Sequence, residues 1–140
     1  MNPQNIATRF FRVVGALLFL LGLVHIAATP HIPVLLDGAP ASVYAQALGP
    51  MLLNHVVMGI LLLPLGFTTW LAASAWERGE PWAMRVLAVN TLVVFTLPLS
   101  IAAFMRRPEY YTAPLFLIGL GLVAIISLLM IAAMLLLMRK

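Results

Sequence analysis

The sequence predicts an all-α fold, a polytopic integral membrane four-helix bundle, and three observations predict it. Apolar residues make up 64% of the 140-residue chain and charged residues 9%, against roughly 25% charged in an ordinary soluble domain. A soluble fold of this length has too little interior for that much apolar surface. Four apolar runs are long enough to cross a bilayer, and none carries Asp, Glu, Lys or Arg near its middle. The basic residues behind the net charge of +4 sit at the ends of those runs. That is how membrane proteins place them, and it speaks for lipid as the partner and against nucleic acid.

Crossing the hydrocarbon takes about 20 apolar residues in a helix. The first run covers 10–29. Arg9 and Arg12 at its start and "AAT" at its end resemble a leader peptide, but Pro30 would follow the cut and the run is long. It is read as a span. The other spans are expected over 51–76, 83–105 and 113–138, one domain throughout. Short connections, 77–82 and 106–112, make spans two, three and four sequential antiparallel neighbours. The first connection, 30–50, is expected to be a long outer loop, with a turn at Asp37-Gly38. Within it, Pro40 and Gly49 bracket a short surface helix over 41–48.

Orientation follows from charge. With both termini inside, the inner side carries Arg9, Arg12, Arg78, Arg85, Arg139 and Lys140, and the outer side only Arg106 and Arg107. The positive-inside rule favours that arrangement. It places Trp70, Trp76 and Trp82 towards the inner interface, and Tyr44, Tyr110 and Tyr111 towards the outer.

Spans one and two share a pattern. Read inward from their outer ends in steps of three and four, the first runs His25, Gly22, Leu18, Gly15 and the second His55, Gly59, Leu62, Gly66. Such steps keep each set on one helix face. Helices in lipid associate by close backbone approach at small residues, so the four glycines are expected to pack the two spans against each other. The imidazoles would then meet about 6 Å below the outer end at helical rise, near Asn54 and Ser100. The preferred reading is a pair of neutral histidines held by hydrogen bonds. Two ligand readings stand beside it. His25 and His55 are candidate axial ligands of a haem b, or His25, His31, His55 and Asp37 together form a zinc or copper set. Neither cofactor is favoured.

Other polar features have structural readings. Pro64 and Pro98 free the carbonyls of Ile60 and Val94 and are expected to kink their helices. Asn90, Thr91, Thr96, Thr68 and Thr69 suit hydrogen bonds between helices. Met130, Met134 and Met138 suit packing better than a copper ladder. Glu77, Arg78 and Glu80 can pair locally in a solvated turn.

Composition also excludes activities. There is no cysteine, hence no thiol redox chemistry. No span has the embedded carboxylate that a proton-coupled multidrug antiporter needs, and no nucleophile sits in a recognisable triad.

The span layout, "GLVHIAAT" closing the first helix, "NHVVMGILLLPLG" in the second and "ERGEPWAMRVLAVN" between the second and third resemble the small bacterial inner-membrane proteins grouped as DoxX-like. The resemblance covers most of the chain. It implies a four-helix fold in the bacterial inner membrane and a group of mixed roles, some linked to quinone-coupled redox complexes. It carries no catalytic residue across. The expected role is a non-catalytic accessory or structural subunit, in contact with lipids and with other membrane subunits or a second copy. A haem- or metal-binding redox or transport component is the alternative.

Overall fold

The computed structural model describes residues 3–104, 111 and 114–138. Among them the chain is all helical, in the order α1 (Pro3–Ala28), a 3-10 turn (Thr29–His31), α2 (Ile32–Leu35), α3 (Ala41–Glu77), α4 (Trp82–Phe104) and α5 (Pro114–Met138). Four segments are long and apolar enough to cross a membrane: Pro3–Leu35, Ala41–Glu77, Trp82–Phe104 and Phe116–Met138. The protein is therefore a multi-pass membrane protein by length and composition. The connection 106–112 lies outside the described residues except for Tyr111, whose ring stands edge-on to Phe116 at 5.7 Å.

The long loop of the sequence reading is mostly helix. The irregular part is confined to 36–40, where Leu36 and Asp37 donate to the carbonyls of Pro33 and Val34 and Gly38 takes a positive φ of 85°. The turn at Asp37-Gly38 is thus present. The Pro40 carbonyl then accepts from the amides of Val43 and Tyr44 and starts α3. A separate surface helix ending at Gly49 is not present, because α3 runs on through Pro50 and Pro64. Pro50 forfeits one backbone bond, whereas ending and restarting the helix would orphan several groups at each terminus. At 37 residues, α3 is about 55 Å long at helical rise, well beyond the ~30 Å hydrocarbon core.

The chain divides into two compact units, Gly15–Phe67 and Met1–Val14 with Thr68–Lys140. In the first, the α1 and α3 backbones touch, with Leu18, Ile32 and Leu62 buried.

In the second, Phe11, Val14, Leu87, Val94, Ile126 and Met130 form the centre, set among small residues such as Ala72, Ala73, Ala75 and Ala83. Small residues let helix backbones approach, the main source of packing energy in lipid. Asn90 donates its amide to the hydroxyls of Thr68 at 3.0 Å and Thr69 at 2.9 Å, clamping α4 to α3. Helix α4 continues through Pro98, and Ser127 of α5 donates to the freed Val94 carbonyl at 3.2 Å. Its single proton is shared with the Val123 carbonyl of its own helix at 2.8 Å, so the hydroxyl partly replaces the bond the proline removes, as the bilayer interior demands. Of the methionine stripe, Met130 is buried and Met138 exposed, a packing pattern.

Helix α3 ends in a Schellman motif, with Gly79 at φ 76° donating to the Trp76 carbonyl and Glu80 donating to that of Ala75. Arg78 and Trp82 both donate to the Glu80 carboxylate, at 2.7 and 2.6 Å. These bonds, first Arg78 and then Trp82, hold the Glu80 carboxyl below its ordinary value.

Candidate functional site

Of the polar places among the described residues, two join α1 to α3, one in each unit. The first is the histidine pair near the C-terminal end of α1. A Cβ added at Gly22 would lie 2.9 Å from the Gly59 carbonyl oxygen, and one at Gly59 would lie 2.9 Å from that of Gly22. At Gly66 it would run into the Phe19 amide and lie 2.6 Å from the Gly15 carbonyl. Only glycine fits this contact. About one turn from Gly22 and Gly59, His25 and His55 stack with ring centroids 4.7 Å apart and planes 33° from parallel.

The His25 ring is oriented by its own helix. Its Nδ1 lies 2.9 Å from the Leu21 carbonyl. A carbonyl only accepts, so in this bond Nδ1 is the donor. Thr29 donates to the His25 carbonyl at 2.8 Å and caps the turn above. Asn54, His31 and Asp37 are exposed and do not join the rings.

This geometry tests the ligand readings. Axial histidines point their nitrogens at an iron from opposite sides of a macrocycle. Here the rings stack and the backbones touch a turn away, leaving no slot for a haem between α1 and α3. The four-residue metal set is not assembled either: among the described residues no three of His, Cys, Asp and Glu come together. What remains is a two-imidazole pair with one oriented ring.

The second place was read from sequence only as a local turn. Glu77 does not pair with Arg78. It reaches α1 instead, where its Oε2 accepts from Arg12 at 2.5 Å and its Oε1 from Thr8 at 2.9 Å. Arg12 Nε also donates to Ser74 at 3.3 Å. Thr8 and Arg12 lie four residues apart on one face of α1, which allows Glu77 to take both. The ion pair is a little over a third exposed on each side, so its worth is modest, ~1 kcal/mol or less. Its larger effect is to fix Arg12 in the wall of a cavity of about 520 Å³, also lined by Gln4, Asn5, Arg9 and Trp76. The sequence signal for this was Arg12 one turn inside an apolar run with Thr8 a turn before it. Its partner lies 65 residues away.

No family model, curated protein or solved structure matches this chain.

Proposed function

We propose that the protein is a non-catalytic accessory or structural subunit of a membrane complex, built to associate with other membrane helices or with a second copy of itself. One observation carries the reading: no span buries more than a third of its apolar window inside the chain, the values being 28, 33, 22 and 28%. Asn90 and Ser127 bond to neighbouring helices, and Thr91 and Thr96 donate to carbonyls of their own helix. The faces left over are long, apolar and uncharged, Leu92, Ile118 and Leu128 each being more than 60% exposed. The charge pattern supports both termini inside, and the sequence resemblance supports a bacterial inner membrane.

Native mass spectrometry after mild detergent extraction tests this. The expected species is heavier than the 15.3 kDa chain, either by whole multiples or by a second polypeptide. A stable, folded monomer as the sole extracted form would refute it.

The alternative reading, a metal site for redox or transport, rests on the oriented His25 ring beside His55. Two imidazoles need further donors, from a partner or a bound molecule, to complete a zinc or copper site. Stoichiometric metal in the purified protein, lost in His55→Ala, would favour it.

A further inference from the structure

The cavity between the start of α1 and the end of α3 has a charge imbalance that the fold does not use. Two guanidiniums, Arg9 and Arg12, line it against one carboxylate, Glu77. Arg12 and Glu77 are paired, so the surplus positive charge belongs to Arg9, which is exposed and makes no ion pair with a described residue. Arg12 is held from two sides, by Glu77 and Ser74. A guanidinium has more N–H donors than those two bonds consume, so a positioned fork remains available. Gln4 and Asn5 add neutral amides to the same wall. The volume, about 520 Å³, falls within the range of roughly 300–1,000 Å³ typical of small-molecule sites.

Location decides the ligand class. The cavity lies where two apolar helices end, beside Trp76, and Trp70 and Trp82 flank the same stretch of chain. Tryptophan concentrates at the headgroup level, and basic pockets between membrane helices at that level take lipid headgroups. Arginine forks match a phosphate's paired oxygens, and charge-assisted bonds of this kind are among the stronger ones.

We propose that this cavity binds the phosphate of an anionic membrane lipid, with Arg9 as the mobile clamp and Arg12, fixed by Glu77 and Ser74, as the preset wall. Thr8 serves the site by holding Glu77 in place. The site is independent of whether the chain acts as a subunit, since it lies within one unit of the fold and uses none of the outward apolar faces.

The test compares the full chain in bilayers of phosphatidylcholine alone and of phosphatidylcholine mixed with phosphatidylglycerol. Lipid retained on the protein is read by native mass spectrometry. The wild type is expected to keep phosphatidylglycerol in preference to phosphatidylcholine. Arg9→Gln, a change at an exposed side chain with no ion pair among the described residues, is expected to weaken retention about tenfold or more, the effect of losing one charged hydrogen bond. Arg9→Lys keeps the charge without the fork and is expected to fall between. Arg85→Gln, a basic residue outside the cavity, leaves retention unchanged. Equal retention of both lipids, or equal loss in Arg9→Gln and Arg85→Gln, would overturn the proposal. A further arm titrates inorganic phosphate against the chain in phosphatidylcholine. Tight, Arg9-dependent binding of the free ion with no lipid preference would assign the cavity to a soluble anion and overturn the lipid assignment.

Discussion

Ser127 and Pro98 act as a unit, although they share no bond. The proline strips the Val94 carbonyl of its helical partner, and the serine supplies a partial replacement from α5, sharing its proton with the Val123 carbonyl. Ser127→Ala is expected to cost about 1 kcal/mol where Pro98 is present, the penalty of an unmet buried carbonyl. In a Pro98→Ala background the carbonyl regains its own amide, and the same change should cost almost nothing. A double-mutant cycle from reversible unfolding in bicelles measures the difference. Asn90→Leu removes two bonds to α3 and should cost about 0.5–1.5 kcal/mol, in line with polar contacts between membrane helices. At the solvated turn, Glu80 is held below its ordinary value by Arg78 and Trp82. Its bonds are therefore fully present above the ordinary carboxylate range and are lost as pH falls through the lowered value. The indole N–H resonance of Trp82 should report that midpoint, and Arg78→Ala should move it upward.

At the scale of elements, the contact between α1 and α3 is a matter of backbone clearance. Gly66→Ala sets a methyl against the Phe19 backbone, which has no side-chain freedom with which to yield. A loss of about 1–3 kcal/mol is expected, as for other overpacked contacts. Gly119 offers the contrast. Nothing lies near the position a Cβ would take, so Gly119→Ala should be neutral or stabilising by up to about 1 kcal/mol through helix propensity. Unfolding of both variants under one condition separates clearance from propensity. The stripes that contain these glycines were legible because helical period is a property of spacing alone. The start of α3 was legible for the same local reason, since Pro40 follows a glycine turn. Its continuation was not. Gly49-Pro50 has the composition of a helix end, yet the cost of making new termini outweighs the single bond that Pro50 gives up.

Across the whole molecule, legibility follows the range of the interaction. Four membrane-length helices could be read from composition, because lipid imposes that requirement on each span separately. The cavity of Arg9 and Arg12 could not, because it depends on Glu77 choosing a partner from another helix over its neighbour Arg78. The histidines fall between: their shared level was readable, but whether stacked rings or a ligand pair would result depended on how closely the backbones met. The same scale bears on the role. Spans that bury no more than a third of their apolar windows leave most of their surface for something else to cover. The most direct test places a benzophenone side chain at Leu92, Ile118 or Leu128 and irradiates intact membranes. The account predicts protein adducts from at least one of these faces, to a second copy or to another membrane polypeptide. Lipid adducts alone from all three would contradict it.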